Sequence, residues 1–160
     1  MHYIMATKQR IIPRGIRNNN PLNIIIGNTW LGEREKPTDP RFEEFVAMRY
    51  GVRAAFIILR RYIRRYGKNT INSIVRTWAP ETENQVQAYI DNVCRFTGIK
   101  PDAHIDYADR QTMCSIVAAM ARVECGQDIP MAEIEKGYEM AEVSSEFIVQ
   151  SSEFRVKSEK

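Results

Sequence analysis

Arg110-Gln-Thr-Met113-Cys-Ser-Ile116-Val117-Ala-Ala-Met120-Ala121-Arg-Val-Glu124-Cys125 carries a single period. Met113, Ile116, Val117, Met120 and Ala121 recur at three- and four-residue steps, the signature of one apolar helix face. Asp109 precedes the run as an N-cap and Gly126 follows it as a C-cap. The next position on the same face is Glu124. A carboxylate there is partly desolvated, and the helix C-terminus adds partial negative charge. Both effects favour the protonated form, which suits a general acid that protonates a glycosidic oxygen. A plain structural role is the competing reading: Glu124 sits at the stripe's edge and reaches solvent or an arginine.

The same period recurs on both sides of this stretch. Val52, Ala55, Phe56, Leu59 and Ile63 predict a helix over 51–66 ended by Gly67. Ile71, Ile74, Val75 and Trp78 predict another, capped by Thr70 and closed by Pro80. Thr82 and Gln85 form a capping-box pattern ahead of Val86, Tyr89, Ile90, Val93 and Cys94, with Gly98 as the stop. Ile134, Tyr138 and Ala141 mark a last helix over 130–141. Residues 24–26 suit a short strand and 41–45 a second strand or a helix lead-in, while 33–40 reads as an exposed loop. The expected fold is therefore mainly α, with a short β element near the N-terminus. One domain over 1–141 is expected, followed by a flexible tail over 142–160 in which Ser-Ser-Glu-Phe occurs twice.

Composition narrows the function classes. Of the 160 residues 44% are hydrophobic and net charge is +3, so an anionic partner is allowed but not demanded. No apolar run approaches the roughly 18 residues of a membrane span. The N-terminus lacks the apolar core of a secretory signal, so synthesis in the cytoplasm is expected, with delivery to any outside target by other means. Three cysteines at irregular spacing are not a disulfide framework; buried free thiols are expected at Cys94 and Cys114. The two histidines give no metal-site spacing, and no cofactor motif is present. Arg53, Arg60, Arg61, Arg64 and Arg65 crowd one helix. A solvated face is preferred over a nucleic-acid surface, because no reading motif accompanies them.

The N-terminal stretch Arg14-Gly-Ile-Arg17-Asn18-Asn19-Asn20-Pro21-Leu-Asn23 has no helical or strand period. It reads either as a turn-rich loop or as a polar wall of amides and guanidiniums that binds a sugar chain. On the second reading Arg14, Arg17, Asn18, Asn19, Asn20 and Asn23 hold glycan. Trp30, flanked by glycines, is expected as an exposed ring platform, with Tyr89 as another; Trp78 is expected in the core. Glu83, in the first turn of its helix, is either a capping anion or a second catalytic carboxylate, and Glu33 or Glu35 could take that second role instead.

Taken together, Arg14 to Ile24, Trp30-x-Gly32, Phe42-x-x-Phe45, Gly51-x-Arg53-Ala54, Trp78-Ala-Pro80 and Glu83-Asn84 with Tyr89 resemble a family of phage and prophage proteins. These proteins are often labelled virion structural proteins and are related to peptidoglycan-cleaving lytic transglycosylases. The resemblance spans residues 14–141. It implies a small lysozyme-like helical domain acting on bacterial cell-wall glycan, without a cofactor and with virion or secretion-system proteins as further partners. Arg122-Val-Glu124-Cys-Gly126 is similar to the catalytic-Glu helix end of lysozyme-like enzymes. That helix usually precedes the Asn-containing segment, and here it follows. The order implies either a circularly permuted domain or one of the same fold that binds without cleaving.

Overall fold

Helices hold most of the described residues, and all but a single turn at Arg14–Arg17, which has no period in the sequence, follow the order the periodicity predicts. The computed structural model describes residues 11–79 and 82–143. The elements are α1 (Arg14–Arg17), α2 (Met48–Tyr66), α3 (Ile71–Trp78), α4 (Glu83–Thr97), α5 (Arg110–Cys125) and α6 (Met131–Val143). The fold is mainly α. Thr70 and Thr82 each accept the amide three residues on and complete capping boxes with Ser73 and Gln85. Asp109 caps α5 through the Thr112 amide. The stop expected at Pro80 and the Ser-Ser-Glu-Phe repeats lie outside the described residues, and α6 runs two residues past the expected boundary at 141.

The central element is α2. It begins three residues earlier than the apolar stripe alone predicts, and residues 51–59 are buried without interruption. A helix buried on all sides has elements packed around it. α6 runs along α2, α4 packs on α5, and α3 and α6 close the bundle against α4 and α5. Phe56 meets Tyr138 edge-to-face with centroids 5.2 Å apart. Gly137 allows the α2–α6 approach, since a Cβ there would stand 2.3 Å from Val52 Cγ1. All-round burial corrects one expectation: Arg53 and Arg61 do not lie on a solvated face but are 1% and 8% exposed.

The β element is smaller than expected. Residues 24–26 and 41–45 meet in one isolated antiparallel bridge, Ile25 with Phe42, and a second isolated bridge pairs Glu33 with Phe45. Side chains and a loop carbonyl take the amides that a ladder would need. The Asp39 carboxylate accepts the amides of Arg41 and Phe42, and the Asn18 carbonyl accepts that of Phe45. The three cysteines are free thiols; Cys114 and Cys125 are buried and Cys94 is partly buried.

Candidate functional site

The Asn-rich stretch is a clip built from its own amides. α1 is a single turn ending at Asn18, and Asn19 and Asn23 then take positive φ values of 52° and 54°. Asparagine tolerates this left-handed region better than most residues. Asn20 Nδ2 donates to the carbonyls of Ile24 (2.9 Å) and Glu43 (3.0 Å), and Asn20 Oδ1 accepts the Ile24 amide at 2.9 Å. Asn19 Nδ2 donates to the Phe45 carbonyl at 3.0 Å. Asn18 Nδ2 donates to Asp39 Oδ2 at 2.8 Å. Arg14 grips the same carboxylate with two 2.6 Å bonds, and Arg17 stands 3.9 Å from it. Asp39 falls in the loop expected to be exposed, yet its side chain is 1% exposed. The Arg14 guanidinium, followed by the amides of Phe42 and Arg41, holds this carboxyl well below the usual range.

This arrangement redistributes the expected glycan-binding set. Asn18 and Asn20 are fully buried, so their amides face the protein and not a ligand. Trp30 is also buried, and the neighbouring Leu31 takes the exposed position instead; the short loop turns the indole into the core. Tyr89 is buried between α4 and α5 and offers no platform. Trp78 lies in the core as expected, its indole N–H directed to the Leu22 carbonyl at 3.3 Å. Arg14, Arg17, Asn19 and Asn23 keep surface on the outer side of the clip.

Glu124 lies where the clip meets α5. It is half-buried, with Oε2 wholly enclosed. Its neighbour Cys125 directs Sγ to the Pro21 carbonyl at 3.2 Å, which joins the last turn of α5 to the Asn-rich stretch. Gly15 is necessary to this junction. A Cβ at Gly15 would stand 2.7 Å from Cys125 Sγ, 2.9 Å from the Asn20 carbonyl and 3.1 Å from Asn23 Oδ1. Asn23 Oδ1 is buried in the same crowd and accepts no hydrogen bond among the described residues. Beneath lies Tyr89, whose hydroxyl points to the Met120 carbonyl at 3.5 Å. Burial, and then the charges of Glu124 and Cys125, push its phenol well above the ordinary value. The end of α5 thus brings the Glu124 charge near the Tyr89 phenol and the Cys125 thiol against the Asn-rich stretch.

Glu83 is arranged differently. Its exposed carboxylate accepts two 3.0 Å bonds from Arg76, which lower its pKa. It is an ion-paired anion at the start of α4 and has no proton to give near neutrality.

A further carboxyl pair is not evident from the sequence. Glu43 is 7% exposed; its Oε1 accepts the Gly27 amide at 3.3 Å, and its carboxyl hydrogen-bonds that of Glu33. Glu33 in turn accepts the Trp30 amide at 3.0 Å. No cation pairs with either among the described residues. Burial first, then the Glu33 charge, pushes Glu43 up to about 8, so the Glu43 carboxyl holds its proton at neutral pH. Its neighbour Glu44 is the opposite case. It accepts the amides of Thr38 and Asp39 and an Arg34 bond, and its pKa is lowered. The signal available in the sequence is Phe42-Glu-Glu-Phe45, two acids framed by aromatics in a fragment of strand.

No protein-family model matches the chain. It is similar to Protein P5 of Pseudoalteromonas phage PM2, with 41% identity over 131 residues, covering 79% of this chain and 80% of the relative. The chain belongs to the P5 family. It is thus related to a phage protein across most of its length, which agrees with the phage part of the resemblance. No helix among the described residues of this P5 relative is long and apolar enough to cross a membrane.

Proposed function

We propose that this P5-family protein acts on bacterial cell-wall glycan through a lysozyme-like domain, with Glu124 as general acid. The observation that carries the reading is the half-buried Glu124 carboxyl in the last turn of α5, next in sequence to Cys125, whose thiol contacts the Pro21 carbonyl of the Asn-rich clip. Glu124 protonates the glycosidic oxygen, the step in which a positioned acid is worth roughly 10²–10⁴-fold. In a transglycosylase the sugar then closes on itself to an anhydro product, so one acid/base group suffices and no metal or cofactor is required. Arg17, with the part-buried Asn19 and Asn23 beside it, forms the polar edge along which the glycan lies. Access to the wall follows delivery by a phage particle or a secretion system.

A second reading is a wall-binding or virion structural protein of the same fold. It is favoured by the enclosure of Asn18, Asn20 and Trp30, which spends much of the polar wall inside the protein. One experiment separates the two. Purified protein is incubated with isolated cell walls, and soluble muropeptides are separated by chromatography. Cleavage by the wild-type protein with at least about a hundredfold loss in Glu124→Gln is the expected result. Full activity of Glu124→Gln would remove Glu124 from the mechanism. Sedimentation with walls but no muropeptide release from the wild-type protein would establish the binding reading.

A further inference from the structure

The arginine run of α2 plays no part in the proposed site, and its geometry is specific. Arg53 and Arg61 are enclosed, and Arg60 is tied to the end of α6 by a 2.9 Å bond to the Ala141 carbonyl. Arg64 and Arg65 remain, both exposed. Neither forms an ion pair among the described residues. Each lies over an aromatic ring: Arg64 is 5.0 Å from the Tyr107 centroid and Arg65 is 5.9 Å from that of Tyr66. Tyr107 is itself braced by a stacked Tyr138 at 5.5 Å. The acid facing this stack is Glu142, which is exposed and forms no ion pair among the described residues.

Like charges one helical turn apart, Arg60 with Arg64 and Arg61 with Arg65, work against the helix. The negative end of the helix dipole offsets part of that cost. It does not account for guanidiniums laid on rings. A guanidinium resting on an aromatic face is pre-ordered and keeps its N–H edges free for two-pronged bonding to phosphate. Tyr66, which Arg61 also approaches at 5.8 Å from the ring centroid, stays 52% exposed at the same end of the helix. Two guanidiniums beside a half-exposed aromatic ring suit a flexible phosphodiester strand, whose bases stack while its phosphates pair. A lipid surface would call for aliphatic side chains to insert, and Arg64, Arg65, Tyr66 and Lys68 supply none.

We propose that the C-terminal end of α2, through Arg64, Arg65 and Tyr66, binds single-stranded nucleic acid without sequence preference. The test is fluorescence anisotropy of a labelled mixed-sequence DNA strand titrated with the full-length protein across a salt series. Wild-type affinity should fall steeply with salt. The Arg64→Ala/Arg65→Ala protein should bind at least about tenfold more weakly, with the slope of log K against log salt reduced by roughly 1.4, about 0.7 for each phosphate that is no longer neutralised. Tyr66→Ala should weaken binding by about five- to a hundredfold and leave the slope unchanged. Arg64→Lys/Arg65→Lys, checked for native helicity, should keep the slope. Absence of wild-type binding, or an unchanged slope in the double alanine protein, would overturn the proposal. So would binding to phosphatidylglycerol vesicles in place of DNA. Glu124→Gln should bind the strand as the wild-type protein does, which keeps this result separate from the wall-cleavage reading.

Discussion

Residues 14–46 and the bundle of α2 to α6 are held together by different physics. The bundle buries aliphatic and aromatic side chains in stripes, and its polar groups are mostly satisfied within helices and at their caps. The N-terminal region has few regular hydrogen bonds. It is tied by point contacts among Asn18, Asn20, Asp39, Glu43 and Glu44, all buried. Apolar packing degrades gradually because each contact is small. A buried polar network fails abruptly when one member is removed, because its partners stay buried without their bonds. The contrast also bears on the two candidate sites, since the clip supplies the wall beside Glu124 and the bundle supplies the frame beneath Arg64 and Arg65.

The largest effect is expected in the bundle. Phe56→Ala removes a fully buried ring from the α2–α6 contact. A loss of about 3–5 kcal/mol is expected from transfer and cavity terms. Urea unfolding followed by far-ultraviolet circular dichroism should show one cooperative transition shifted as a whole. Asp39→Ala comes next, with an expected loss of roughly 2–4 kcal/mol, since it strands the Asn18 amide and the backbone N–H groups of Arg41 and Phe42. Here the damage should be local. Hydrogen exchange should accelerate across 14–46 while α3 to α6 keep their protection. Uniform acceleration over the whole chain would show that the two regions form one cooperative unit and would remove the contrast.

The same contrast explains how much is legible in the sequence. The helices are readable because a 3.6-residue period and the caps Thr70, Thr82, Asp109, Gly67, Gly98 and Gly126 act locally. The N-terminal region is not, because its contacts join residues 21 to 26 positions apart, and nothing in Asp39 itself shows that Arg14 and Asn18 will close on it. Trp30 and Leu31 illustrate the limit: two adjacent apolar residues between glycines give no sign of which turns inward. Glu124 is legible because it extends a helical stripe. Glu43 escapes notice because its environment is made by Gly27 and Glu33, which belong to another turn of chain. The arginine run is legible in composition alone. Which members face water depends on the all-round burial of α2.

The effect that is smallest per step of the perturbation, and the most discriminating, concerns pH. Burial and the nearby Glu33 raise the Glu43 carboxyl from 4.5 to about 8 in the folded protein. Between those values the unfolded chain has released the proton and the folded chain still holds it. The folded state therefore binds more protons, and stability falls as pH rises through this window, by at most about 1.4 kcal/mol per pH unit. Asp39 and Glu44 have the opposite sign: their lowered values give stability that is present above the unfolded carboxyl range and is lost on acidification. Glu83, Asp109 and Glu139 in the bundle are also lowered, but as exposed groups they contribute little. Acid and mild alkali should thus both loosen the N-terminal region first. Glu43→Gln keeps the shape of the side chain and removes its proton equilibrium. Chemical-denaturation midpoints for that variant should lose the decline from about pH 5 to pH 8 and keep the acid limb set by Asp39 and Glu44. If the decline persisted in Glu43→Gln, the Glu43 proton would have to be abandoned as its source.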